Sequence, residues 1–76
     1  MSESYKHILV FRSNIQTERD KCRVGIALDN HPLIEKWGVD LDDDERILRV
    51  VSYKLSQQHI MDIVSRCGYT CEELKD

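Results

Sequence analysis

The spacing of apolar residues along this chain switches between two periods, and the order of the switches constrains the fold more than any other feature. Tyr5 to Arg12 (YKHILVFR) is rich in β-branched and aromatic side chains and reads as a strand. Beyond the loop residues Ser13 and Asn14 the spacing becomes helical, with Val24, Ala27 and Leu28 forming an apolar stripe. Trp37, Val39 and Leu41 then alternate with Gly38, Asp40 and Asp42, the pattern of a half-buried strand. The acidic stretch Asp42–Glu45 reads as a turn, and Ile47–Val51 (ILRVV) as the returning strand of a hairpin. Ile60, Ile63, Val64 and Cys67 restore helical spacing, and Tyr69–Leu74 (YTCEEL) suits a short final edge strand.

Local end signals agree with this division. Thr17-Glu18-Arg19-Asp20 has the spacing of a capping box, and its two acids suit the positive end of the helix dipole. Gly25 weakens that helix, while Asn30 and Pro32 end it. Ser56 is a good N-cap for the second helix, flanked by Leu55 and Ile60 at staple positions, and Gly68 is a natural stop. The order strand, helix, strand, strand, helix, strand, with right-handed crossovers, predicts an α+β, ferredoxin-like βαββαβ arrangement. This is a four-stranded antiparallel sheet with two helices on one face, a fold that many unrelated functions share.

With 76 residues, the chain is expected to form one domain, residues 1–76. At that size folding buries only about 60% of the unfolded surface, which leaves room for one thin core and no deep catalytic cavity. Charged residues make up 33% of the chain, yet the net charge is only −3, without the basic clusters that phosphates or anionic membranes attract. Neither nucleic acid nor a membrane is therefore an expected partner. No apolar run approaches the roughly 20 residues that span a bilayer, and Met1 to Lys6 lacks the pattern of a signal peptide, so a cytoplasmic location is expected. An odd count of three cysteines then reads as reduced thiols.

The runs Leu28-Asp29-Asn30-His31-Pro32 and Glu35-Lys36-Trp37-Gly38-Val39-Asp40-Leu41, with Gly68-Tyr69 near the end, resemble heavy-metal-associated domains. These copper-chaperone-like modules also occur at the front of metal-transporting ATPases. The resemblance extends from about Ile8 to Leu74 and implies the same element order. It also implies a Cys-x-x-Cys pair at the start of the first helix. Two thiolates there suit soft ions such as Cu(I) or Zn(II), and the helix dipole lowers their pKa values. Counting back from Val24 and Leu28 puts those positions on Thr17 and Asp20, neither of which is a soft ligand. Lys21 also departs from the family, which usually buries an apolar residue there.

Other constellations favour structural readings. Cys22 lies about 200° round the helix from the second ligand position and reads as a small, half-buried apolar residue. Cys67 and Cys71 have C-x₃-C spacing, but Cys67 continues the apolar face of the second helix and Cys71 falls where the resemblance implies a small apolar residue, so both read as core thiols. Asp40–Glu45 fails as an EF-hand loop because the sixth and twelfth positions hold Glu45 and Val51. His7, His31 and His59 share no metal-ligand spacing and read as surface or cap residues. No motif for nucleophilic, phosphoryl or metalloprotease chemistry is present, and no cofactor is expected.

The expected function is that of a non-enzymatic heavy-metal-associated-like module without the usual soft-metal site, binding an unidentified protein partner. By the resemblance, the docking surface lies at Asn14, Thr17, Asp20 and Tyr69. One alternative is a copper or zinc carrier with a rearranged site using Cys22, or Cys67 with Cys71. A second is an ACT-like small-ligand regulatory domain, which shares the element order.

Overall fold

The computed structural model describes residues 8–74. Its elements run β1 (Ile8–Ser13), α1 (Glu18–Asp29), β2 (Lys36–Asp40), β3 (Ile47–Val51), α2 (Gln57–Arg66) and β4 (Cys71–Glu73). The strands form one sheet in the order β2-β3-β1-β4, with every neighbouring pair antiparallel. This is the βαββαβ architecture that the periodicities predict.

The register explains the core. Leu9 pairs with Val50, Phe11 with Leu48, Trp37 with Val50 and Val39 with Leu48, so these side chains share one face of the sheet. Val24 and Leu28 of α1 and Ile60 and Val64 of α2 close over that face in the same buried cluster. Phe11, Leu28, Leu48, Val50, Ile60 and Val64 are fully buried. The opposite face carries Ile8, Val10, Gly38, Arg49 and Val51, with the buried Ile47 at its turn end, and neither helix packs on it.

Several predicted boundaries move. Tyr5–His7 lie outside the described residues. β2 ends at Asp40 instead of Leu41, because the Asp40 carboxylate accepts the Asp42 N–H at 3.1 Å and starts the turn. That turn is closed by the Asp43 carboxylate on the Glu45 N–H, at 2.8 Å, and by the Arg46 guanidinium on the Leu41 carbonyl. β4 is only three residues long, because Gly68 turns the chain at φ 93° and Tyr69 and Thr70 are used elsewhere.

Two contacts are invisible in the periodicities. Gly25 faces the Trp37 ring so closely that a Cβ there would lie 2.6 Å from Cζ2. Trp37 Nε1 donates to Asp29 Oδ1 at 2.7 Å, fixing the ring against α1. What looked like a weak point of the helix is the space that lets an aromatic ring lie against it. Ser52, only 2% exposed, donates to the Leu33 carbonyl at 2.7 Å and accepts the Leu55 N–H at 3.1 Å. It thereby joins the connection before β2 to the one before α2, with no buried side-chain polar atom left unsatisfied among the described residues.

Candidate functional site

The β1–α1 loop is held on both sides. Ser13 N–H donates to the Glu45 carbonyl at 3.1 Å and Ser13 Oγ to the Arg46 carbonyl at 2.7 Å, seating the loop against the β2–β3 turn. Across the sheet, Asn14 N–H donates to the Thr70 carbonyl at 3.2 Å, while Asn14 Oδ1 accepts the Thr70 N–H at 2.9 Å. Ile15, fully buried, anchors the loop from below. The loop is therefore built into the fold before any ligand arrives.

At its end the capping box forms as the sequence predicts. Thr17 has extended backbone angles, and its hydroxyl accepts the Asp20 N–H at 3.1 Å. Asp20 Oδ2 reaches back to accept the N–H groups of Gln16 and Thr17, both at 3.2 Å. A Thr cap of this kind contributes about 1 kcal/mol to helix stability.

The other carboxylate oxygen is also engaged. Tyr69 Oη donates to Asp20 Oδ1 at 2.7 Å, from 49 residues away in sequence. That bond, joined by those from Gln16 and Thr17, holds the Asp20 carboxyl below its ordinary value, outweighing partial burial. The same bond and burial push the Tyr69 phenol up, with Arg23 opposing. Asp20 thus has a lower pKa folded than unfolded, so its stabilising contribution is present above pH of about 4 and fades as pH falls through the folded value. Tyr69→Phe removes the largest cause of the shift. Its Asp20 carboxyl should titrate at higher pH than in the native protein, as read by carboxyl carbon NMR. An unchanged titration would show that the Tyr69 bond does not form in solution.

The cysteines do not converge here. Cys22 is exposed, not half-buried as predicted, because α1 turns Val24 and Leu28 into the core and leaves Cys22 on the far side. Cys67 caps the end of α2 and Cys71 opens β4, and both pack half-buried against the core cluster. Burial pushes the Cys71 thiol up to about 11, so it stays protonated near neutral pH, whereas a metal ligand must be the thiolate. Lys21 is half-buried. His31 Nδ1 accepts the Leu33 N–H and His59 Nδ1 the Ser56 N–H, both at 3.1 Å, so each serves its own turn or cap. His7 lies outside the described residues. Among the described residues, no three His, Cys, Asp or Glu side chains gather as a metal cluster would.

Of the residues expected at the docking surface, Asn14, Thr17, Asp20 and Tyr69 all lie around this loop, and three of them form one hydrogen-bonded network. Thr70, which also belongs to this site, is not among the residues expected from the sequence. The signal is weak, since an Asn after a strand is an ordinary loop residue and its partner is 56 positions away.

No family model matches the chain, and no curated protein sequence matches it. Solved structures do. A yeast copper transporter domain, Ccc2a, studied in apo and Cu(I)-loaded states, is 17% identical, with a TM-score of 0.76 over 92% of this chain and 97% of that one. The copper(I)-loaded first domain of the human copper chaperone for SOD1 is 15% identical, with a TM-score of 0.75 over 87% and 89%. The Atx1–Cu(I)–Ccc2a complex contributes a chain 17% identical, with a TM-score of 0.74 over 91% and 96%. At these identities the likeness is one of fold: this chain is built as copper-chaperone and copper-transporter domains are built.

Proposed function

We propose that this protein is a non-enzymatic module of heavy-metal-associated type that binds a protein partner through the β1–α1 loop without a soft-metal ion. One observation carries the reading. Where the resemblance calls for two thiolates, the Thr17 hydroxyl and both Asp20 oxygens are engaged by the helix start and by Tyr69. Oxygen donors already bonded in this way are poor ligands for Cu(I). A rigid loop flanked by Asn14 and Tyr69 offers a preformed surface, which lowers the ordering cost of association. That one neighbour in fold is a chain of the Atx1–Cu(I)–Ccc2a complex supports docking as a use of this architecture. A cytoplasmic location fits reduced thiols.

Titrating the reduced protein with Cu(I) against a competing chelator tests the reading. No stoichiometric uptake is expected, and each of the three thiols should react with a thiol reagent as fast with Cu(I) as without it. Tight uptake of one Cu(I) with two thiols protected would replace this reading with a rearranged carrier site at Cys22, or at Cys67 and Cys71. The absence of any gathering of three potential ligands among the described residues, and the cost of ionising the Cys71 thiol, count against that alternative.

A further inference from the structure

The sheet has two edges, and they differ. β4 is three residues long and carries Glu72 and Glu73, so a second copy brought alongside would meet like charges. β2 spans five residues, has no proline, and has a neighbour on one side only among the described residues. Lys36 and Asp40 stand exposed at its two ends on the uncovered face, with Gly38 between them. Neither makes an ion pair among the described residues. Trp37 and Val39 point to the helical face.

The strand K-W-G-V-D is therefore its own complement. Turned end for end about a two-fold axis midway between Gly38 and the Gly38 of the second copy, Lys36 meets Asp40 of that copy and Asp40 meets Lys36. On the other face Trp37 meets Val39, an aromatic and β-branched pair, and Gly38 meets Gly38. We propose that β2 is a self-association edge through which two copies join their sheets into one of eight strands. The axis is perpendicular to the sheet, so all helices stay on one face and the two α1 helices come side by side. That contact would cover the exposed strip beside Trp37, where Cys22 and Ile26 line a shallow groove and Ile26 is 65% exposed. A slip by two residues loses both ion pairs, and a slip by one turns the helices to opposite faces. This edge is separate from the Thr17–Asp20 loop, so either proposal can fail alone.

Sedimentation and light scattering over a concentration series test it. The mass should rise from 9.0 kDa toward twice that value, with the emission of Trp37 shifting to the blue as it is covered, and added salt should reverse both. Lys36→Asp and Asp40→Lys each place like charges opposite one another at both ends. Each should move association to a concentration about tenfold higher or more. An equimolar mixture of the two variants restores opposite charges and should associate as the native chain does. Because Asp40 also holds the turn, this mixture separates lost pairing from lost structure. A native chain that stays monomeric at about 1 mM, single variants that associate unchanged, or a mixture that stays apart would each overturn the proposal.

Discussion

A Thr17→Cys, Asp20→Cys double variant is expected to take up one Cu(I) per chain against a chelator from which the native protein takes none. The substitutions put two thiols three residues apart at the start of α1, where unsatisfied N–H groups and the dipole favour thiolates. The surrounding loop needs no rebuilding. Its bonds from Ser13 and Asn14 involve neither substituted residue, and Ile15 stays in the core. The helix start loses its Thr17 cap, a cost of about 1 kcal/mol, together with the bonds that Asp20 accepts from Gln16, Thr17 and Tyr69. Bound metal works against this loss, since a ligand at a thousandfold its Kd adds about 4 kcal/mol. The apo variant should therefore melt below the native protein, and Cu(I) should raise its Tm. If the variant binds no Cu(I), Thr17 and Asp20 do not stand where the ligands of such a site would stand, and the resemblance loses its functional meaning.

Gly25→Ala presents a contest of sign. Helix propensity alone predicts a gain of about 1 kcal/mol for replacing a mid-helix glycine. The packing predicts the reverse, because the new methyl would lie 2.6 and 2.7 Å from two atoms of the Trp37 ring. The ring cannot swing aside freely, since its Nε1 is bonded to Asp29 and Trp37 packs against the core cluster. Overpacking of this kind costs about 1–3 kcal/mol, so net destabilisation is expected. In a domain of this size each kcal/mol lowers Tm by roughly 4–8 °C. A double-mutant cycle with Trp37→Phe isolates the cause, because the smaller ring should tolerate the added methyl better than the native ring does. A Gly25→Ala protein that melts higher than the native one would mean that the two elements are not packed this closely.

Which parts of this could be read from the sequence follows from how far apart the partners are. The Thr17–Asp20 box is made by residues three apart, so its spacing declares it, and the structure forms it as predicted. Core residues such as Phe11, Leu48 and Val64 are legible for the same reason, since their periods are local. The Asp20–Tyr69 bond, the Asn14–Thr70 pair and the seat of Trp37 on Gly25 join elements that only the sheet order brings together. Composition carries no trace of them. Gly25 shows the hazard best, since intrinsic propensity marks it as a flaw and tertiary packing makes it a requirement. Cys22 errs the other way. Small and apolar, it passes for an interior residue until the buried stripe of α1 is placed.

The pairing of Asn14 with Thr70 has a consequence for motion. β4 is the shortest strand and lies at an edge, so it belongs to the part of the sheet that opens most readily. Thr70 precedes it directly, and Asn14 leads into the loop proposed to dock. Opening of β4 therefore releases the loop between β1 and α1, and the two would share a single opening equilibrium. A partner that grips the loop in this closed arrangement would also steady β4, and whatever peels that strand away would loosen the partner's grip.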